Sequence, residues 1–191
     1  NPVSSVHQDL FGETILSFSE NLSTDIDVLF LCGGHGKARQ LLEDQDIPDE
    51  VKVIDLSQDF RLSSNSQVKE RVFTYGLPEL NREAIAAADS IANPGCFATA
   101  LQLGLLPLVG EGFSGEVYAT GITGATGAGQ ALTAGSHFAW RANNIQAYKS
   151  LQHQHLAETA ESLRQISHKG EQPRISFVPW RGDFARGIFI S

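Results

Sequence analysis

The residues best suited to chemistry in this chain are a cysteine, a pair of histidines and several glycines. Cys96 stands in "NPGCF", where a Pro-Gly turn gives way to a long apolar run. If a helix begins at Gly95 or Cys96, the thiol lies in its first turn, where unpaired backbone N–H groups and the helix dipole favour an anion. A free thiol titrates near pH ~8.5, and a helix N-terminus lowers that value toward a thiolate nucleophile. The competing reading is a small buried hydrophobe, a common fate for free cysteine. Position alone leaves both open. The other cysteine, Cys32, closes an apolar strand and is expected to be core.

A thiol nucleophile needs a proton-transfer partner, most often histidine. "QHQHLAE" supplies His153 and His155 at the start of a helix, with Glu158 three residues further on. On an extended lead-in the two imidazoles would share a face; within a helix they would diverge. His155 and Glu158 can meet on the helix, so that Glu158 orients an imidazole; a solvated polar helix start is the plainer alternative. The spacing does not favour a metal, because no ligand pair is four apart on a helix and no second Cys/His cluster is visible. Arg61 in "DLSQDFRL" and Arg141 in "SHFAWRANN" are candidate anion clamps, since guanidinium binds carboxylate or phosphate bidentately.

"GITGATGAG" at 121–129 follows a strand. It is not read as a dinucleotide fingerprint, because no helix follows at once and no acidic residue stands about 20 positions on. Its glycines would let a flat or anionic group approach the backbone; a flexible surface loop is the alternative.

These residues need a scaffold. "IDVLFLC" (26–32) and "VKVIDLS" (51–57) read as strands, with "GGHG" and the helical "KARQLLEDQ" between them. That order is a βαβ unit of a parallel sheet, in which ligands sit beyond the carboxyl ends of the strands. His35 follows the first strand; Asp55, Ser57 and Arg61 follow the second. Residues 63–71 read as a loop, Gly76–Pro78 as a turn into a short alanine-rich helix, and "IAN" (91–93) as a brief strand before "NPGC". From Cys96 onward, "CFATALQLGLLPLV" has the pattern of a buried helix. "EVYATGIT" (116–123) and "RISFVPW" (174–180) read as strands, and 124–137 as a long glycine-rich loop. The helix at 155–169 places Leu156, Ala160, Leu163 and Ile166 on one stripe, with Gly170 as its stop.

Composition narrows the class. The 191 residues are 41% hydrophobic and 19% charged, which suits a globular protein. A formal net charge of −8 without a basic run argues against a nucleic-acid or anionic-membrane surface. No apolar run is long enough to span a bilayer. Two cysteines make no disulfide framework, so reduced thiols and a cytoplasmic location are expected. With no methionine at all, residue 1 is not expected to be a native start.

Taken in order, "DLSQDFRL", "YGLPELNRE", "ANPGCFATALQLGLLPL", "GITGATGAG" and "HQHLAE" resemble the N-acetyl-γ-glutamyl-phosphate reductase family of arginine biosynthesis, within the semialdehyde dehydrogenase superfamily. The likeness runs from about residue 26 to residue 191 and implies an incomplete chain. It implies part of a Rossmann-like, NADP-binding parallel sheet over 1–95, followed by an α+β catalytic domain over 96–191. It implies that the Cys96 thiolate attacks an acyl phosphate and that NADPH reduces the resulting thioester to an aldehyde. His153 would be the acid–base histidine. Asn93, Arg61, Arg141, His155 and Glu158 would line the substrate pocket. Gly34, His35, Gly124, Thr126, Gly127 and Gly129 would belong to the NADP site, and the molecule would be a homo-oligomer. The residues by themselves leave two other classes open: a cysteine hydrolase or acyltransferase using no nicotinamide, and an inactive fragment or interaction module.

Overall fold

The computed structural model describes residues 1–23, 25–129 and 131–191, the side chain at 169 excepted. Short β-branched runs in the first half build a parallel sheet. Its elements are β1 (Val28–Leu31), α1 (Lys37–Asp44), β2 (Lys52–Asp55), a small hairpin of β3 (Gln67–Val68) and β4 (Arg71–Val72), then β5 (Thr74–Tyr75), α2 (Pro78–Ala87) and β6 (Ser90–Ala92). The order across the sheet is β1-β2-β6-β5, and every pairing is parallel. Parallel strands put all their carboxyl ends on one edge, so the segments after Leu31, Asp55, Tyr75 and Ala92 converge there.

Leu31, Leu42, Val53, Phe60, Phe73 and Ala92 form the core beneath this sheet. Phe60 and Phe73 stack at 4.0 Å between centroids, with the Arg39 guanidinium 4.6 Å from the Phe60 ring on its other approach. Helix α2 begins with Pro78 at its first position, where a missing N–H costs nothing. The segment expected as a plain loop at 63–71 contains a short 3₁₀ turn (Ser63–Asn65) and the β3–β4 hairpin.

The second half builds a mixed sheet from β7 (Glu116–Thr123), β8 (Gln146–Ala147), β9 (Arg174–Arg181) and β10 (Ile188–Ile190), in the order β10-β7-β9-β8. β7 and β9 run parallel over eight paired positions, Glu116↔Arg174 through Thr123↔Arg181, and the outer strands are antiparallel. Helices α3 (Cys96–Gly110) and α5 (His155–Ile166) cover one face of this sheet; the short α4 (Phe138–Arg141) precedes β8. Phe97, Leu101, Ala119 and Phe177 form one cluster between helices and sheet, and Leu105, Val109 and Leu163 form another. Gly121 lets α3 come this close: a Cβ there would lie 2.6 Å from Phe97 Cε1. On the opposite face Ile122, Trp180 and Phe189 form a cross-strand row with no element over it among the described residues, and Tyr118 and Phe189 are largely exposed.

Two expectations change. Cys32 is exposed rather than core, because β1 closes at Leu31 and the thiol falls in the turn beyond the strand. Helix α5 ends at Ile166, and a separate 3₁₀ turn carries His168–Gly170 with Gly170 at φ 77°. Leu156, Leu163 and Ile166 pack inward as expected, but the most buried flank of α5 is polar: His155, Glu158, Thr159 and Ser162. The glycine-rich stretch makes 3₁₀ turns at Ala125–Ala128 and Ala134–Ser136; residue 130 lies outside the described residues. No described helix is long and apolar enough to cross a membrane.

Candidate active site

Cys96 is the first residue of α3, and its thiol-bearing residue is exposed. Gly95 caps the helix in extended backbone, and its carbonyl accepts from Thr99 N at 2.8 Å and from Thr99 Oγ1 at 3.0 Å. The turn leading into it is fixed from three directions. Asn93 N donates to Asp55 O at 2.8 Å, which ties the turn to β2. Arg61 Nε donates to Asn93 O at 2.9 Å. Gly95 N donates to Glu158 Oε2 at 2.9 Å. Gly95 has no room for a side chain: a Cβ would overlap His155 Nε2 and lie 2.8 Å from Arg61 Nη1.

Glu158 is the hub of this arrangement. It is 4% exposed, a burial that an ionised carboxylate tolerates only when fully partnered. Arg61 Nη1 donates to Oε1 at 3.1 Å, while Tyr75 Oη donates to Oε2 at 3.0 Å beside the Gly95 amide. Gln102 Nε2 in turn donates to Tyr75 Oη at 2.9 Å. Burial, with the Glu158 carboxylate alongside, raises the Tyr75 hydroxyl above the ordinary phenol range, so it stays a donor. Arg61 completes its set with Nη2 to Leu56 O at 3.1 Å. Its guanidinium is thus shared between the Cys96 turn, the end of β2 and Glu158. His155 Nε2 lies 3.8 Å from Glu158 Oε1, too far for a hydrogen bond, so the carboxylate orients the arginine and the backbone rather than the imidazole.

The two histidines do come together. His153 precedes α5 and His155 opens it, and their rings meet edge-on at 4.5 Å. His153 is packed among Phe97, Tyr148 and Phe177, at 5.6, 5.8 and 5.9 Å between centroids. Burial, reinforced by the neighbouring His155, lowers its pKa to about 4. Burial and the Arg61 charge lower that of His155 to about 4 as well. His153 Nδ1 accepts from His155 N at 3.3 Å. The neutral ring therefore carries its proton on Nε2. His155 Nδ1 is buried without a hydrogen-bond partner.

One cleft of about 620 Å³ gathers most of the expected site. Cys96, His153 and His155 line it together with Arg61, Asn93, His35 and Gly127. Arg141 does not line it: its Nη1 donates to Arg181 O and its Nη2 to Gln146 Oε1, at 2.6 and 3.4 Å. Glu158, Gly34, Gly124, Thr126 and Gly129 are likewise outside the lining. Glu158 stands behind it. Gly124 packs so tightly on the 184–187 segment that a Cβ would lie 2.6 Å from Ala185 O, and Thr126 Oγ1 donates to that same carbonyl at 2.7 Å. Gly34 adopts φ 92° and Gly129 φ 80°, conformations that favour glycine. Among the lining residues that the spacing did not single out are Leu56, Tyr148, Lys149 and Arg181.

The cleft has features that fit the reactive end of a nicotinamide. Gly127 and Ala128 give the space that holds Cys96 a side-chain-poor part of its lining, to which His35 and Leu56 also belong. The N-terminus of α1, by contrast, does not fit a pyrophosphate, because Asp59 already occupies it: Oδ1 accepts from Gly36 N at 2.7 Å and Oδ2 from Arg39 N at 3.1 Å. A second carboxylate, Asp55, is buried at the end of β2 and accepts from Ser57 N and Oγ; burial pushes its pKa up.

A parallel sheet whose carboxyl edge meets a cysteine-headed helix of a second, mixed sheet defines a class, and sequence comparison agrees with it. The chain belongs to the semialdehyde dehydrogenase family: residues 1–88 match the model described as the NAD binding domain, and residues 96–191 match the dimerisation domain. Among curated relatives it is 49% identical over 193 residues to the N-acetyl-gamma-glutamyl-phosphate reductase of Bacteroides thetaiotaomicron and 44% over 191 residues to that of Flavobacterium johnsoniae. In both cases all of this chain is covered, and it spans 58% of the relative's length. Solved structures share the fold. Aspartate semialdehyde dehydrogenase II from Vibrio cholerae superposes with a TM-score of 0.61 at 17% identity, over 90% of this chain and 56% of that one. The Candida albicans aspartate semialdehyde dehydrogenase solved with NADP gives 0.54 at 20%, over 87% and 50%.

Proposed function

We propose that this chain carries the catalytic centre of an NADP-dependent N-acetyl-γ-glutamyl-phosphate reductase, in the cytoplasmic synthesis of arginine. The observation that carries the reading is Cys96 at the first position of α3, in one cleft with His153, whose Nδ1 accepts from a backbone N–H and leaves Nε2 to donate. Residues 1–95 would form part of the cofactor domain and 96–191 the catalytic domain.

The Cys96 thiolate attacks the acyl carbon, forming a C–S bond through a tetrahedral oxyanion, and the C–O bond to phosphate breaks. His35, Leu56 and Gly127 would hold a nicotinamide, whose chemistry would be to supply the hydride that reduces the thioester. Collapse of the second oxyanion expels the thiolate and releases the aldehyde. Both steps build negative charge on one oxygen, and a neutral Nε2–H donor beside it stabilises it. An imidazole with a pKa of about 4 holds no spare proton at neutral pH. His153 therefore enters the reaction neutral and serves as the oxyanion donor, and the departing phosphate takes its proton from solvent. Glu158, Tyr75 and Arg61 keep the 93–96 turn in place.

The same reading gives the uncovered sheet face a partner, a second copy of this chain. Support comes from the family's dimerisation domain and from the row of Ile122, Trp180 and Phe189.

The test is the reduction run backwards, as oxidation of the aldehyde. N-acetyl-glutamate semialdehyde, NADP and phosphate should yield NADPH absorbance, and Cys96→Ala should abolish it. Thioester or ester hydrolysis without nicotinamide turnover would instead make the protein a cysteine hydrolase.

A further inference from the structure

Three arginines surround the cleft, and two of them are committed to the fold. Arg61 lines it but is held by Glu158 and by the carbonyls of Asn93 and Leu56. Arg141 holds Arg181 O and Gln146 from behind the lining. Arg181 differs. It ends β9, lines the cleft with Cys96 and His153, and forms no salt bridge among the described residues. Its guanidinium rests over the Tyr148 ring, 4.7 Å from the centroid. Its Nε is shielded from solvent without a hydrogen-bond partner, as is that of Arg141; but the Nη atoms of Arg141 are bonded away from the cleft, whereas the guanidinium of Arg181 lines it. Lys149, a further cation lining the cleft, donates to the neutral Gln154 Oε1 at 2.9 Å and forms no salt bridge among the described residues. With Lys149 beside it, the Arg181 guanidinium gives this cleft positive charge that no carboxylate of the described residues neutralises.

We propose that Arg181 is the anion-binding side chain of this cleft, taking a pair of carboxylate or phosphoryl oxygens of the substrate beside Cys96. The Tyr148 ring holds the guanidinium plane, so that its fork is presented in a fixed orientation. Arg141, bonded to the Arg181 carbonyl, holds the backbone from which the fork projects. The proposal deepens the reductase reading and names the substrate feature that this site recognises.

Alkylation of the thiols tests it without cofactor or turnover. Iodoacetate carries a carboxylate; iodoacetamide is its neutral analogue. In the unaltered protein the iodoacetate-to-iodoacetamide rate ratio should be at least about threefold higher at Cys96 than at the exposed Cys32, since a nearby cation attracts the charged reagent. Arg181→Gln should lower the Cys96 ratio by roughly three- to tenfold, a ratio in which any change of thiolate fraction cancels, and Arg181→Lys should restore part of it. Equal ratios at the two cysteines, or a Cys96 ratio indifferent to Arg181→Gln, would overturn the proposal. Kinetics in the aldehyde-oxidising direction identify the oxygens. A rise of about tenfold or more in KM for inorganic phosphate alone assigns a phosphoryl group, and the same rise for the aldehyde alone assigns a carboxylate. No rise in either counts against the proposal. Absence of turnover in the unaltered protein would refute the reductase reading and leave the alkylation result standing.

Discussion

Glu158→Gln is the most informative single change in this molecule. Glutamine keeps the volume and one carbonyl oxygen, so Gly95 N retains an acceptor. Tyr75 Oη can turn to Gln102 Oε1, already 3.3 Å away. What has no replacement is the negative charge facing Arg61, whose side chain is 6% exposed. Removing one partner of a buried ion pair costs about 3–5 kcal/mol, because the other charge stays buried and unpaired. For a chain of this size about 1 kcal/mol moves Tm by 2–4 °C, so Tm should fall by roughly 6–20 °C. Urea unfolding followed by circular dichroism reads the same loss as a lower midpoint at unchanged slope. Adding Arg61→Met removes the stranded charge, so the double variant should be more stable than the sum of the singles by about 0.5–3 kcal/mol. A Glu158→Gln protein within about 0.5 kcal/mol of the parent, the range of an ordinary surface change, would refute the hub.

Protonation supplies the next test. The folded pKa values of His153 and His155 are about 4, below the ~6.5 of an exposed imidazole. The unfolded chain therefore binds more protons between these values, and stability should fall as pH drops through that window. Melting curves should show a shallower fall in His153→Gln; identical slopes would contradict the burial argument. Gly95→Ala pushes a methyl group into His155 and Arg61, and should destabilise by about 1–3 kcal/mol and lower turnover. A stable, fully active variant would mean that the turn is loose. Ile122→Glu places a charge in the middle of the uncovered row on the second sheet, and sedimentation should show a dimer becoming a folded monomer; an unchanged dimer would move the interface elsewhere.

Much of this site is written in local sequence. The Pro-Gly turn, the apolar run after it and the closely spaced His153 and His155 are short-range signals, and each sits where periodicity puts it. Cys32 failed by one position: an apolar run does not tell where its last inward residue falls, and β1 closes at Leu31. The partners of Glu158 were out of reach for a different reason. Tyr75 and Arg61 lie 83 and 97 residues away along the chain, and no local pattern reports which distant donors will meet a carboxylate. The same holds for the arginines. All three look alike in sequence, and only packing separates the two held by carbonyls and Glu158 from the one left over Tyr148. The polar flank of α5 was hidden because hydrophobic spacing identifies the stripe that meets apolar neighbours, whereas Thr159 and Ser162 are buried with side chains that carry no such signal.

The clamp on the Cys96 turn has one further consequence. Its donors come from the strand ends of the first sheet, and its carboxylate comes from a helix of the second. A chain in which either half is still unformed carries its thiol on an unanchored turn. In the proposed reductase the catalytic turn would thus work as a logical AND gate on assembly, anchored only once both halves have folded and docked.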